Sequence, residues 1–241
     1  MISRFFCPDR LPPAGTIELP DALAHHAVRV LRLADGDPLV LFDGHGGEYA
    51  ARLVAHGRQW GAELLGHKPV ERESPLELVL VQALASGDKM DWIVQKAVEL
   101  GVAAVVPVRA ERSVLRLSDE RAARRRSHWQ QVAVAACEQS GRNRVPQIAA
   151  IADLRSYLAE SRAVGDRLVL APDAAHRLSA LARPAGPVHL LIGPEGGWTP
   201  DELAACQAAG VTRVGIGPRV LRTETAGLAA VSALQARWGD F

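Results

Sequence analysis

Two short glycine-bearing stretches in the last quarter of the chain carry the strongest chemical signal. The first is Ile192-Gly193-Pro194-Glu195-Gly196-Gly197. The second runs from Gly215 through Gly217-Pro218-Arg219-Val220-Leu221-Arg222 to Thr223. Each follows an apolar, strand-like run and leads into a helical pattern. Glycine lets a backbone turn sharply and approach a ligand closely. Ligands of open α/β sheets gather at the carboxyl ends of the strands. Neither stretch is GxGxxG or GxxxxGK[ST], so a dinucleotide fingerprint and a phosphate-binding P-loop are both unsupported. A glycine-rich loop taken alone can also be a tight turn and nothing more. The chain has no HExxH, CxxC or GxSxG, and Cys7, Cys137 and Cys206 are too scattered for metal ligation or a disulfide framework. The chemistry that suits these loops needs neither a metal nor a covalent nucleophile.

A second feature is cationic. Arg109, Arg112, Arg116, Arg121, Arg124, Arg125 and Arg126 fall within eighteen residues, and Arg142 and Arg144 follow, in a chain whose formal net charge is only +1. Concentrated arginine can make a nucleic-acid footprint on a near-neutral protein. Charge alone also allows, and slightly favours, an ordinary solvated helix face.

The elements that must position these residues fall into two groups. The first seventy residues read as β structure. Val28–Leu31 is a short apolar run, Pro38–Phe42 a strand, Asp43 to Gly47 a tight reversal, and Glu48–Val54 the returning strand. Trp60–Leu65 reads as another. Short strands with glycine-rich turns suggest a small barrel or curled sheet. The polar stretch His67–Pro75 is the natural linker. Leu76–Ala85 then begins an alternation of buried strands and helices, which predicts an α/β domain with a mostly parallel sheet.

In that domain Asp88–Leu100 is a helix, with Asp88 able to cap it and Gly101 at its end. Val102–Val108 is a strand, and a long helix starts at Ser118. Further strands are expected at Arg167–Leu170, Val188–Ile192 and Val211–Ile216. Thr199, Pro200 and Glu202 spell a capping box. The final helix, from about Thr223 to Trp238, is apolar nearly all round and must be buried in a core or against a partner. Leu228, Val231 and Leu234 are the choice for a subunit contact, with packing inside the chain as the alternative. Trp92, Trp129 and Trp238 read as packing residues. The domain limits are 1–72 and 73–241.

Of the 241 residues, 48% are hydrophobic and 23% charged, as in a folded globular protein. The scattered cysteines suggest a reducing compartment. The opening MISRFFCPDR lacks the apolar core of a secretory signal, and no run has the length of a membrane span. A cytoplasmic protein with no membrane contact is expected.

The motifs, in order, resemble the bacterial 16S rRNA (uracil-N3)-methyltransferases of the RsmE type, in the SPOUT superfamily of knotted methyltransferases. The resemblance rests on His26 with Val30-Leu31-Arg32, then on Lys96-Ala97-Val98-Glu99-Leu100-Gly101-Val102. Trp129, Glu138-Gln139-Ser140, Arg142 and Val145-Pro146 follow. Ile192–Gly197 with Glu202, and Leu221-Arg222-Thr223-Glu224-Thr225-Ala226, complete it. It covers essentially the whole chain. Each piece is weak alone, and together they are specific.

The resemblance implies a PUA-like β-barrel that helps hold RNA, followed by a SPOUT α/β domain with a deep trefoil knot. It implies S-adenosylmethionine as cofactor and a homodimer acting on 16S rRNA or the small ribosomal subunit, not on DNA. The cofactor would touch Leu170, Ala171 and Pro172 in one loop, and Ile192, Gly193, Glu195 and Gly197 in a second. Ile216, Gly217, Val220 and Leu221 would serve in a third, with Leu221 and Ile192 against adenine. Uracil N3 carries a proton and is a poor nucleophile until it leaves, so a base or a cation beside O2 and O4 is needed. Glu224 and Glu138 are the candidate carboxylates, and Arg222 and Arg142 the candidate cations. Glu224 can also serve only the helix dipole, and Arg222 can pair with it to hold the loop. RNA phosphates would meet Arg109, Arg112, Arg121, Arg124 and Arg125. His26, Arg29 and Arg32 would add contacts from the first domain, or form a plain polar edge. Rival readings are a related methyltransferase with another target and a non-catalytic ribosome-assembly protein.

Overall fold

The computed structural model describes residues 2–115, 117–160 and 165–241, so Arg116 lies outside the described residues. The chain forms two compact units: Met1–Glu73 with Cys137–Val145, and Ser74–Ala136 with Pro146–Phe241.

The first unit contains β1 (Ser3–Phe6), β2 (Gly15–Glu18), α1 (Asp21–His25), a π-helical turn at His26–Val30, β3 (Pro38–Phe42), β4 (Glu48–His56) and β5 (Gln59–Lys68). The strand order is β1-β3-β4-β5-β2, with β1 parallel to β3 and the other pairs antiparallel. Leu39, Leu41, Tyr49, Ala51 and Leu53 alternate inward to make its core. The reversal between β3 and β4 needs Gly47, with φ at +71°, where a Cβ would stand 2.8 Å from the Lys68 carbonyl oxygen.

Val28–Leu31 is not a strand. Leu23, Ala24 and Ala27 are buried at helical spacing, and the Leu31 N–H donates to the His26 carbonyl at 3.0 Å, five residues back. Arg32 then takes φ of +58°, the left-handed geometry that commonly ends a helix.

The segment contributed from further along the chain is held by charge. Arg142, 4% exposed, donates from Nε to Glu73 at 3.0 Å, Asn143 donates to the Val70 carbonyl at 2.7 Å, and Arg144 donates to Glu71 at 2.8 Å. Glu71 and Glu73 of the stretch His67–Pro75 are engaged in these bonds, and Arg72 donates to Glu48 at 3.3 Å and to the Gly141 carbonyl at 2.8 Å.

The second unit contains β6 (Leu78–Ala83), α2 (Lys89–Glu99), β7 (Ala104–Arg109), α3 (Asp119–Ser140), β8 (Gln147–Ile148), β9 (Ala152–Asp153), α4 (Leu154–Glu160), β10 (Asp166–Leu170), β11 (His176–Arg177), β12 (Val188–Ile192), α5 (Pro200–Ala208), β13 (Thr212–Gly215) and α6 (Thr223–Trp238). The last turn of α3 belongs to the first unit. The strand order is β11-β13-β10-β12-β6-β7-β8, with β9 also beside β7, and every pair is parallel. Val79, Val81, Ala83 and Leu191 pack with Leu154, Tyr157 and Leu158 of α4 and Cys206 of α5. On the other face, Leu80, Gln82 and Ile192 meet α6 at Gly227. Burial on both faces explains why β6 and β12 read as nearly continuous apolar runs, interrupted only by Gln82 and His189.

Two helix ends expected from sequence follow local chemistry and one does not. Asp88 occupies the N-cap of α2 but makes no side-chain cap bond. Gly101 closes that helix with φ of +83°, and the Val102 N–H donates to the Ala97 carbonyl at 3.1 Å. The α5 capping box is complete: Thr199 Oγ1 accepts from the Glu202 N–H at 3.2 Å, and Glu202 Oε2 accepts from the Thr199 N–H at 2.8 Å.

One packing expectation is corrected. Val231 and Leu234 are fully buried in the chain's own core, because the face of α6 that carries them lies on the sheet and α2; Leu228 is half-buried. Trp129 and Trp238 are buried, but Trp92 is 52% exposed and carries the Lys96 ammonium 5.0 Å from its ring centroid. No helix among the described residues is long and apolar enough to cross a membrane.

Candidate active site

In the sheet order β13, β10 and β12 are neighbours, so the loops leaving their carboxyl ends stand side by side. Together they enclose a cavity of about 340 Å³, within the range typical of small-molecule sites. The loop after β10 contributes Leu170, Ala171 and Pro172. The loop after β12 contributes Ile192, Gly193, Glu195 and Gly197, and the one after β13 contributes Ile216, Gly217, Val220 and Leu221. Every position that the resemblance pointed to for the cofactor lies on this one wall. The lining comes wholly from the second unit.

Backbone approach at the first glycine loop is close. A Cβ on Gly193 would lie 3.2 Å from Trp198 Nε1, and one on Gly196 would lie 2.9 Å from Arg112 Cβ. Thr223 locks the second loop to the first: its hydroxyl donates to the Gly193 carbonyl at 2.6 Å and accepts from Gln82 Nε2 at 3.0 Å. Trp198 Nε1 is buried with no hydrogen-bond partner, an unspent donor beside the cavity.

Arg219 and Thr223, from the second glycine-bearing stretch, also line the cavity, as do Lys89 and Trp198, which were not anticipated from sequence as site residues. Lys89 left one legible signal. It sits in the first turn of α2, where the helix dipole disfavours a cation. What offsets this is Glu195, whose Oε1 accepts from the Lys89 ammonium at 3.0 Å, the Ser86 N–H at 2.9 Å and the Ser86 hydroxyl at 2.7 Å. Burial would raise the Glu195 carboxyl, but these bonds from Ser86 and Lys89, with the residue's own N–H, hold it down at about 2. The same ammonium lies 3.8 Å from Glu224 Oε2.

The candidate reacting groups divide. Arg222 lines the cavity. Glu224, in the first turn of α6, stands behind Lys89 and is not part of the lining; its Oε2 is buried without a hydrogen bond. Glu138 and Arg142 belong to the first unit. There Arg142 pairs with Glu73, and Glu138 accepts from the Phe6 N–H at 2.9 Å. Burial pushes the Glu138 carboxyl above the usual carboxylate range, with that bond opposing it.

The candidate RNA contacts also divide. His26, Arg29 and Arg32 are exposed around the π-helical turn, with the His26 ring edge-on to Phe5 at 5.7 Å. Arg121 and Arg125 are exposed on α3, and Arg124 pairs with Glu120 at 2.6 Å. Arg109 lies 3.8 Å from Asp153. Arg112 donates to the Gly196 carbonyl at 3.1 Å, so it touches the glycine loop itself. Among the described residues no group of three or more His, Cys, Asp or Glu side chains is placed to hold a metal.

Comparison with known proteins agrees with this arrangement. A family model described as an RNA methyltransferase domain matches residues 72–235, and one described as an RNA methyltransferase PUA domain matches residues 19–59. The ribosomal RNA small subunit methyltransferase E of Bacillus subtilis is 33% identical over 235 residues, covering 93% of this chain and 91% of the relative. That of Mycobacterium bovis is 34% identical, covering 99% and 94%. Among solved structures, the ribosomal RNA small subunit methyltransferase E of Neisseria gonorrhoeae, bound to S-adenosylmethionine, is 40% identical with a TM-score of 0.93, over 100% of both chains. A Legionella pneumophila methyltransferase holding the same cofactor is 33% identical with a TM-score of 0.95, again over 100% of both. Matched over its sheet, its glycine loops and nearly its full length, the chain belongs to the RNA methyltransferase family, alongside the ribosomal RNA small subunit methyltransferases E.

Proposed function

We propose that this protein methylates N3 of a uridine in 16S rRNA, with S-adenosylmethionine as methyl donor. The observation that carries the reading is the single cavity formed by three neighbouring strand-end loops in a chain of this family. Its walls fit such a cofactor. They are largely apolar, three glycines keep the backbone open to close approach, and Trp198 Nε1 is a buried donor without a partner beside the cavity. Leu170, Ile192 and Leu221 would flank the adenine, and the backbone at Gly193, Gly197 and Gly217 would meet its polar edges and the methionine part. The bound cofactor supplies an electrophilic methyl group on a sulfonium. The chain's own residues orient the acceptor, exclude water and handle the N3 proton. Arg222, which lines the cavity, and Glu224, 3.8 Å from the Lys89 ammonium, are the candidates for the last of these.

The wider assembly follows from the same reading. The first unit is a PUA-like barrel whose exposed His26, Arg29 and Arg32 meet RNA. The arginines of α3 bind phosphates. The second unit carries the deep trefoil knot that the resemblance implies for a SPOUT domain. The enzyme works in the cytoplasm as a homodimer, with the part-exposed flank of α6 at Leu228 and Ser232 and the exposed Trp92 on α2 as its contact. RNA rather than DNA is the partner.

The test uses purified protein, S-adenosylmethionine and small ribosomal subunits from cells lacking this modification. Mass spectrometry of the digested RNA should show N3-methyluridine appearing with enzyme. A protein that binds no S-adenosylmethionine by calorimetry, or that places methyl on another atom, defeats the reading.

A further inference from the structure

The glycine turn after β12 is held on its outer side by two residues that do not line the cavity, Glu111 and Arg112 of the loop after β7. The turn Pro194-Glu195-Gly196-Gly197 closes with one internal bond, from the Gly197 N–H to the Pro194 carbonyl at 2.9 Å. Pro194, Glu195 and Gly197 line the cavity, and Gly196 does not. Gly196 meets Arg112 instead. The Arg112 guanidinium donates from Nη1 to the Gly196 carbonyl at 3.1 Å. A Cβ on Gly196 would stand 2.9 Å from Arg112 Cβ and 3.3 Å from Arg112 Cδ, so the arginine stem lies across this residue. Glu111 anchors the loop that carries Arg112. Its N–H donates to Glu202 Oε1 at 2.8 Å, and its Oε2 accepts from the Thr199 hydroxyl at 3.2 Å. Thr199 and Glu202 already hold each other in the α5 capping box. The stretch from Gly196 to Glu202 is therefore fastened at both ends to the loop after β7.

We infer that Arg112 is a positioning residue for the S-adenosylmethionine pocket, holding the glycine turn in the shape that presents Gly197 to the cofactor, and is not an RNA contact. This rests on the proposed placement of the cofactor in the cavity. Glycine loses more conformational freedom on ordering than any other residue. A loose Gly196-Gly197 pair would have to be ordered each time the cofactor bound, at the expense of affinity, whereas a turn fixed beforehand would not. Arg112 suits the task. Its guanidinium stays charged at every working pH and donates in a fixed, planar geometry. Its stem covers the side of the turn that faces away from the cavity. A phosphate contact asks only for an exposed charge. It does not explain why the stem of Arg112 is packed on a residue that must be glycine to admit it. Arg112 thus differs from Arg121 and Arg125, which are exposed on α3 and do not touch the cavity wall.

The experiment uses the full-length protein as wild type, R112A, R112K, G196A and the R112A/G196A double variant. Three quantities are measured: S-adenosylmethionine affinity by calorimetry, affinity for small-subunit RNA across a salt series, and the single-turnover rate on small ribosomal subunits at saturating cofactor. Thermal unfolding checks that each variant is folded; where G196A fails to fold, R112A and R112K decide. R112A should weaken cofactor binding about fivefold to twentyfold. Its single-turnover rate at saturating cofactor should stay within about threefold, because bound cofactor restores the turn. R112K keeps a stem and a donor and should recover most of the affinity. G196A should lose affinity comparably by displacing the stem, and the double variant should bind little worse than the weaker single one, since both changes break one contact. The salt dependence of RNA binding should be the same in R112A as in wild type. A phosphate contact predicts the reverse, a logarithmic salt slope shallower by about 1 with cofactor affinity intact. That result overturns the inference, as does wild-type cofactor affinity in R112A. A wild-type protein that binds no S-adenosylmethionine overturns the inference and the proposed function together, so the two failures are distinguishable.

Discussion

The three thiols show how burial sets reactivity one residue at a time. Desolvation pushes Cys137 up to about 12 and Cys206 to about 11, and it raises Cys7 as well. All three are buried and free. Native protein at pH 7.5, which is roughly one unit below an ordinary thiol's pKa, should resist a thiol reagent, and denatured protein should take up one equivalent at each cysteine. Rapid labelling of the native state would show that these sites open. Glu195 behaves in the opposite sense. Its carboxyl is held at about 2 against an ordinary 4.5. A depressed carboxylate contributes stability that is fully present above the unfolded value and is lost as pH falls through the folded one. The Glu195 contribution should therefore be complete above pH 4.5 and vanish toward pH 2. E195Q should lose that acid dependence, read as a flatter plot of unfolding midpoint against pH in that window.

Among the elements, α6 is the most constrained by close packing. A Cβ at Gly227 would meet Ile192 Cγ1 at 3.4 Å and Gln82 Oε1 at 3.5 Å, which is ordinary contact. Glycine inside a helix costs about 0.5–1 kcal/mol relative to alanine, so G227A should be neutral or stabilise by up to about 1 kcal/mol. G227L has no such room and should destabilise by about 1–3 kcal/mol. Urea denaturation measures both, and the reverse ranking would mean that α6 does not lie against β6 and β12 as described. Legibility in the sequence follows the same local logic. Pro38–Phe42, Val188–Ile192, the Thr199 capping box and Thr223–Trp238 were readable because one pattern decides each: a short apolar run before a glycine turn, an apolar run broken only by His189, a side-chain cap, a long stretch apolar nearly all round. Residues 26–30 were not, because a short apolar run is compatible with either strand or helix, and burial of Leu23, Ala24 and Ala27 makes the choice. The cavity wall was legible where glycines and motif positions marked it. Lys89 escaped because contacts with Glu195 and Glu224, over a hundred positions away, bring it in, and only its disfavoured place on its helix hinted at a role; Trp198 escaped because no pattern marks the residue just past the glycine motif. Val231 and Leu234 were misplaced because an all-apolar helix does not say which neighbour covers it.

For the whole molecule, charge is the property that matters beyond any one element. A formal net charge of +1 conceals a concentration of arginine on α3. Arg121 and Arg125 are exposed, and the exposed Arg124–Glu120 pair at 2.6 Å is of the kind that holds little energy. The double variant R121E/R125E should weaken binding to small-subunit RNA and make its salt dependence shallower by about 1–2 in the logarithmic slope. S-adenosylmethionine affinity should be unchanged, since neither residue touches the cavity. Equal RNA affinity in the variant would assign the arginines of α3 to plain solvated surface.

The first unit closes around residues drawn from two distant stretches, Met1–Glu73 and Cys137–Val145. During synthesis the opening stretch must therefore wait for a later one. At about 5–20 residues per second, the delay between completing the two is roughly 4–14 s. Through that interval Glu71 and Glu73 have no Arg144 and Arg142 to meet, although all five strands of the sheet have been made. A fragment stopping at Glu73 should be aggregation-prone in the cell. Rare codons placed between the two stretches should lengthen its exposure, and supplying residues 137–145 as a separate peptide should partly relieve it.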